Sequence, residues 1–245
     1  MLNYEIFLLP STTTIINLSR RGLTQLPDLS KFTNLRELDC GHNQLTSLPP
    51  LNTKLQVLDC GHNQLTSLPP LNTNLHSLDC CKNQLTVLPR LNDNLTLLFC
   101  AYNQLTKLPI LNDKLQVLYC HENRLPSLPI LNYNLQSLVC YNNQLTILPP
   151  LHNGLHTLYC VNNKLDYLMN DDTVRLIKIK NKKIHNFRHF YYSLKFKSKF
   201  RNWLWIKVRE PKIRINYSPL KLMDLLYTMQ NENDEYEFDN LLNNW

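Results

Sequence analysis

Leucines recur along the chain with a period of twenty residues, and this pattern predicts a stack of short strands. The pattern L-x-x-L-x-C-x-x-N-x-L-x-x-L occurs seven times in phase, beginning at Leu35. The sixteen residues of 38–53 are repeated without change at 58–73. Self-similarity at a fixed period of this size is typical of a solenoid, in which each unit buries its apolar face against its neighbours.

Within each unit, the segment L-x-x-L-x-C predicts a short strand whose alternate side chains point to opposite faces. Leu38 and Cys40 are expected to face the core, whereas Glu37 and Asp39 are expected to face outward on the concave side. Twenty residues leave too little chain for a returning helix. The recurrent Leu-Pro-Pro-Leu-Asn therefore favours an extended, polyproline-like convex side.

Less regular copies flank the seven regular ones and suggest about nine repeats over residues 13–187. One copy surrounds Ile16 and has two extra residues before Leu35, and another spans 174–187 without the asparagine in place. Residues 1–12 are expected to form an N-terminal cap with a strand. Residues 188–245 are expected to form a helical C-terminal cap.

Two further residue types recur in phase with the leucines. The asparagines are expected to bind backbone groups where the chain leaves each strand. The cysteines are expected to be buried reduced thiols, because neighbouring Cβ atoms in a parallel ladder lie too far apart for disulfides and a straight ladder does not converge on zinc. Cys81 lies outside the ladder and is expected to be partly exposed. Free thiols in this number favour a cytoplasmic location. The ladder cysteines are Cys40, Cys60, Cys80, Cys100, Cys120, Cys140 and Cys160.

The repeated motif resembles that of leucine-rich repeat proteins, including the short repeats of bacterial type III effectors. The form C-G-x-N-Q-L-T-x-L-P at Cys40–Pro49 is also similar to leucine-rich repeat proteins of amoeba-infecting giant viruses. So are "PKIRINYSP" at Pro211–Pro219 and the ending "LLNNW" at Leu241–Trp245. The resemblance implies a right-handed horseshoe with parallel strands on its concave face. A viral protein of this kind would lie in the host cytoplasm.

The outward positions of the strands predict a surface that binds a protein partner, whose identity the sequence does not encode. Along the chain these positions change from carboxylates to aromatic rings, and aromatic side chains are enriched at interfaces. A partner with a basic stretch beside an apolar one would suit them. A less favoured alternative is a metal ion held by Asp39, Asp59, His42 and His62. The predicted partner-binding residues are Asp39, Asp59, Asp79, Phe99, Tyr102, Tyr119, Tyr141 and Tyr159.

The net charge of +7 is concentrated near the C-terminus. Residues 175–214 hold 14 Lys/Arg against one Asp/Glu, whereas residues 215–245 hold one against six. Interleaved cations and aromatics around Trp203 and Trp205 favour a cap whose apolar side covers the open end of the solenoid. The alternatives are nucleic-acid binding through charge and base stacking, or contact with an anionic membrane surface.

No catalytic pattern stands out in the sequence. The 58 residues that follow Phe187 contain no cysteine, so they lack the nucleophile of the ubiquitin-ligase domains that related effectors carry. No glycine-rich phosphate loop or Ser/His/Asp order is evident. We therefore expect a monomeric protein without enzymatic activity, cofactor or metal.

Overall fold

The computed structural model describes residues 8–165 and 174–187. The chain separates into two compact units, Met1–Phe187 and Arg188–Trp245. The predicted C-terminal cap, its helices and the alternative nucleic-acid-binding segment fall in the second unit, outside the described residues. The N-terminal strand was expected within residues 1–12. Residues 8–12 contain no strand, and residues 1–7 lie outside the described part.

Eight strands of three residues each form one parallel sheet, in which sequence order is also spatial order. This arrangement confirms the predicted parallel solenoid. The returning segments between the strands contain no helix over residues 18–165, in agreement with a period too short for one. The strands are β1 (Ile15–Asn17), β2 (Glu37–Asp39), β3 (Val57–Asp59), β4 (Ser77–Asp79), β5 (Leu97–Phe99), β6 (Val117–Tyr119), β7 (Ser137–Val139) and β8 (Thr157–Tyr159).

Each strand buries its central residue, which is Ile16 in β1 and leucine in β2 to β8, because the side-chain period of a strand is two. The residues on either side are at least partly exposed, except Val139 in β7. Leu38 pairs with Leu58, and Leu58 with Leu78, so that like residues stack along the sheet. The first return is longer, since Ile16 pairs with Leu38. This return also contains Phe32, which is completely buried. The core is therefore a continuous column of leucines and cysteines with one aromatic ring near its start.

The recurrent asparagines join neighbouring repeats, as predicted. The Asn103 amide nitrogen donates to the carbonyl oxygens of Cys80, Cys100 and Ala101 at 3.0–3.2 Å. Its amide oxygen accepts the N–H of Leu85 from the preceding repeat at 3.0 Å. One side chain thus satisfies four backbone groups that the bend would otherwise leave unpaired.

A second row of asparagines, which the sequence interpretation did not identify, ties the returning segments together. The Asn92 amide nitrogen donates to the carbonyl oxygens of Asn72 and Leu75 at 2.8 and 3.1 Å. Its oxygen accepts the N–H of Asn94 at 2.8 Å. Asn112 repeats the donation to the Asn92 carbonyl at 2.6 Å. Asparagine amides therefore join neighbouring repeats at two places, in the bend after each strand and in the returning segment.

The prediction of a ninth repeat at residues 174–187 is wrong, because this segment is helical. We call it helix α1. Its less exposed positions, which include Ile177 and Asn181, follow the spacing of one helix face. Ile179 and Phe187, which would occupy apolar positions of such a repeat, are 36% and 57% exposed. The segment lacks the asparagine that fixes a repeat's bend, so the same apolar residues satisfy a helical period instead.

Helix α1 supplies hydrogen-bond donors to the last returning segment. Asn181 Nδ2 donates to the carbonyl oxygen of Pro149 at 2.8 Å. The Lys178 ammonium donates to the carbonyl oxygen of Leu155 at 2.6 Å. These contacts satisfy backbone oxygens that no further repeat covers. Neither this helix nor any other among the described residues is long and apolar enough to cross a membrane.

Candidate functional site

Three carboxylates line the first half of the concave face, in the last positions of β2, β3 and β4. The parallel register places Asp39 beside Asp59 and Asp59 beside Asp79, and we call these three residues the acidic column. Each Oδ1 accepts the backbone N–H two residues later, at 2.9–3.0 Å. The carboxylates therefore have a structural task as well as a position suited to binding, which the sequence interpretation did not identify.

The surroundings of the acidic column change the pKa of its central carboxylate, Asp59. Burial raises the pKa of Asp59 above its ordinary value, and the like charges of Asp79 and Asp39 act in the same direction. The hydrogen bond from the Gly61 N–H partly offsets this rise. A Cβ atom at Gly41 would lie 3.0 Å from Asp59 Oδ1. Glycine therefore leaves space for the carboxylate of the following repeat.

The residue just before each recurrent asparagine adopts a left-handed backbone conformation, as does Arg20 at the equivalent position of the first repeat, with φ between 50° and 57°. Most of these residues are neither glycine nor asparagine, so they carry a steric cost. Their side chains stack along the edge of the concave face: the His42 and His62 rings lie 3.9 Å apart at 18°. The Lys82 ammonium lies 5.4 Å from the centroid of the Tyr102 ring. The left-handed residues are Arg20, His42, His62, Lys82, Tyr102, Glu122, Asn142 and Asn162.

Aromatic rings occupy the second half of the concave face and contact one another. Phe99 and Tyr119 meet edge to face with centroids 5.1 Å apart. His121 lies 5.3 Å from Tyr102, edge to face, and stacks on Tyr141 at 4.4 Å. Such pairs are stabilised beyond simple area burial. We call these five residues the aromatic patch.

The structure brings most of the predicted site residues together, leaves Tyr159 apart from the aromatic patch and adds His121 to it. Tyr159 lies on β8 and is 60% exposed. Val139, at the equivalent position of β7, is only 6% exposed. His121 belongs to the aromatic patch and was missed, because its position in the earlier repeats holds small residues such as Gly41 and Gly61. The signal that could have identified it is the change at this position from small residues to His121 and Tyr141.

The cysteines are free, and all are buried except Cys81, which is partly exposed as predicted. Burial raises the pKa of Cys40 to about 12, and Asp59 and Asp39 contribute to the rise. Burial and Asp79 likewise raise the pKa of Cys81 to about 12. These thiols are therefore protonated at neutral pH and react slowly. Within residues 8–165 and 174–187, no group of three or more His, Cys, Asp or Glu side chains could hold a metal ion.

Comparison with known protein families identifies the repeat. The family described as "Leucine Rich repeats (2 copies)" matches residues 53–91. The family described as "Leucine Rich Repeat" matches residues 34–53. No curated protein matches the sequence.

Solved structures of bacterial proteins share the fold. The effector YopM of Yersinia pestis is 37% identical, with a TM-score of 0.56 over 58% of this chain and 41% of YopM. A Shigella effector leucine-rich repeat domain is 30% identical, with a TM-score of 0.58 over 63% of this chain and 72% of the domain. The functional domain of InlJ from Listeria monocytogenes, which includes a cysteine ladder, is 30% identical, with a TM-score of 0.50 over 65% of this chain and 42% of that chain.

The chain spans about two fifths of the length of the YopM proteins from Yersinia pestis and Yersinia enterocolitica, covering 41% and 39% of them. The resemblance to giant-virus proteins stays a prediction. The in-phase ladders, the parallel sheet and the likeness to the Shigella domain agree on the repeat itself, and the chain belongs to the leucine-rich repeat family.

Proposed function

We propose that this protein is a non-catalytic binding module that takes a protein partner on its concave face. Leucine-rich repeat folds typically serve as protein–protein interaction modules, and the stacked strands of a solenoid form an extended concave surface suited to that task. The proposal assigns binding to the acidic column and the aromatic patch together, with Tyr159 at the far edge.

The observation that carries the proposal is the change in chemistry along one face of an otherwise uniform repeat. The core positions barely vary from β2 to β8, whereas the outward position changes from Asp79 on β4 to Phe99 on β5. Tyr102 remains 43% exposed within a cluster of other rings. Exposed aromatic clusters of this kind are typical anchors of protein interfaces.

The two halves of the face favour a partner with a cationic stretch beside an apolar one. Each carboxylate of the acidic column holds a backbone N–H with Oδ1, which leaves Oδ2 for a cation. Like charges on neighbouring strands, about 4.8 Å apart, repel by about 1 kcal/mol per pair at the dielectric constant of bulk water, and by more where the pair is partly buried. A lysine or arginine of the partner would relieve this repulsion. We place the interaction in a reducing compartment such as the cytoplasm, because the free thiols persist there.

The experiment is a comparison of partner capture by the full chain and by two sets of matched variants. In the first set, Asp39, Asp59 and Asp79 are changed together to Asn, which removes charge while keeping an Oδ1 acceptor for the turn. Its control is the double change Asp93→Asn and Asp113→Asn, at exposed positions in the turns that precede β5 and β6.

The second set compares Tyr119→Ala with Tyr133→Ala. Tyr133 is 86% exposed and lies in the turn before β7, away from the aromatic patch. Proteins retained by the full chain should be lost from the Asp triple variant and from Tyr119→Ala, and kept by both controls. If all captured proteins bind the concave variants as well as the controls, the concave face is not the binding surface.

A further inference from the structure

The first repeats show which chemical group the turns of the concave face accept. The backbone N–H groups of Gly41, Gly61 and Cys81 donate to Oδ1 of the aspartate two residues earlier, at 3.0, 2.9 and 2.9 Å. Because those aspartate side chains lie on the concave side of the sheet, these N–H groups point to the same side. Each turn therefore presents one donor that a carboxylate oxygen fills.

In the later repeats the same donors remain but the carboxylates do not. Tyr119 stands two residues before His121, and Val139 two residues before Tyr141. None of the described residues accepts a hydrogen bond from the N–H of His121 or of Tyr141. The Nδ1 atom of His121 is also buried without a partner in this part of the chain. Unpaired donors at adjacent turns, about 4.8 Å apart, are open to an acceptor from elsewhere.

We infer that the N–H groups of His121 and Tyr141 bind an acidic side chain of the partner, set between the rings of the aromatic patch. This inference rests on the proposed binding function and adds one residue type to the partner. The earlier repeats show the same donors with their acceptor in place, since the N–H groups of Gly61 and Cys81 each donate to a carboxylate oxygen at 2.9 Å. Hydrogen bonds to an ionised acceptor are stronger than neutral ones, which favours a carboxylate over water.

The charged groups nearby act in opposite directions on an incoming carboxylate, since Lys82 attracts it and Glu122 repels it. Glu122, the nearest carboxylate in sequence, accepts a hydrogen bond from Asn142 Nδ2, and Asn142 holds it in place. Lys82 lies over the Tyr102 ring and adds a positive charge on the same side of the patch. Burial lowers the pKa of His121 below its ordinary value, so its ring is neutral at pH 7. The ring therefore adds no positive charge for the carboxylate, and the proposed donors are the two main-chain N–H groups.

The test is an amide NMR titration of the full chain with the capped peptide acetyl-Asp-Phe-amide. We expect the amide signals of His121 and Tyr141 to shift and to saturate with a Kd of about 1 mM, as befits one small contact. The matched peptide acetyl-Asn-Phe-amide should bind about tenfold more weakly, because it lacks the charge.

Two variants assign the effect to the turn. Tyr119→Asp places a carboxylate two residues before His121, as in the first repeats, and should abolish the His121 response while the Tyr141 response persists. Tyr133→Asp adds the same charge at an exposed position outside the aromatic patch and should leave the His121 response. Equal responses to both peptides, unchanged amide signals, or loss of the His121 response in both variants would overturn the assignment. If partner capture depends on the concave face but these amides do not respond, the inference fails and the proposed function stands.

Discussion

At the scale of single residues, the asparagine of each turn is the side chain whose role follows most directly from the sequence. Its recurrence beside a strand end predicted that it satisfies backbone groups, and Asn103 does so with four hydrogen bonds. Three of these need the amide nitrogen as donor, so a carboxylate cannot replace it.

We therefore expect Asn103→Leu to lower the free energy of unfolding by about 1–3 kcal/mol, because buried backbone groups lose their partners. Asn103→Asp should destabilise at least as much, since it sets a second oxygen against three carbonyl oxygens. The control Thr106→Ala changes an exposed residue in the same repeat. Urea unfolding monitored by circular dichroism gives the comparison, and an Asn103→Asp variant as stable as the control would contradict this role.

The left-handed residues show what residue-level interpretation could not supply. Their types vary from lysine to tyrosine to glutamate, whereas the conformation is constant with φ near 53°. The bend is imposed by the neighbouring asparagine and the parallel stack, and the residue itself contributes strain. Because the residue types at these positions vary, the sequence does not indicate the left-handed conformation that contacts between repeats impose.

Lys82 offers a clean test of this strain, because two substitutions remove its contact with Tyr102 equally. Lys82→Gly allows φ of 52° without steric cost, whereas Lys82→Val places a β-branched residue there. We expect the valine variant to be less stable than the glycine variant by about 1–2 kcal/mol in thermal or urea unfolding. Equal stabilities would show that the turn relaxes and stores no strain.

At the scale of elements, the strands were predicted correctly and the structure of residues 174–187 was not. The strands were predictable because seven in-phase copies specify a period and a buried face. Residues 174–187 were predicted as a repeat because their apolar residues lie at intervals that also suit a helix. Without the turn asparagine there is no bend to close a repeat, and hydrogen bonds from Lys178 and Asn181 to the last return favour the helix.

The cysteine ladder leads to a prediction about thiol chemistry. Its first three thiols donate to backbone oxygens of the next strand, as Cys60 Sγ does to the carbonyl of Asp79 at 3.2 Å. A thiol reagent should therefore modify Cys81 first and slowly, and the ladder only on unfolding. Denatured protein kept without reductant should titrate as eight thiols. A Cys81→Ser variant should lose the earliest phase, and a count well below eight would indicate disulfides.

At the scale of the whole molecule, the sequence located the two halves of the candidate site but not how its side chains interact. The columns of residues followed from the repeat, so Asp59, Phe99 and Tyr119 could be placed on one face in advance. The hydrogen bonds from the turns to the acidic column, and the membership of His121 in the aromatic patch, depend on contacts between neighbouring repeats. The spacing of residues along the chain does not show which side chains of neighbouring repeats touch.

The central claim is that the concave face binds the partner, and hydrogen exchange tests it most directly. The full chain is compared with and without a partner that it captures, and the backbone amides are measured by mass spectrometry. The account predicts slower exchange from β2 to β7 and in the turns that follow these strands. Exchange at the exposed convex positions Ile110 and Ile130 should stay unchanged. Protection confined to the convex positions, with the concave turns unaffected, would contradict the account.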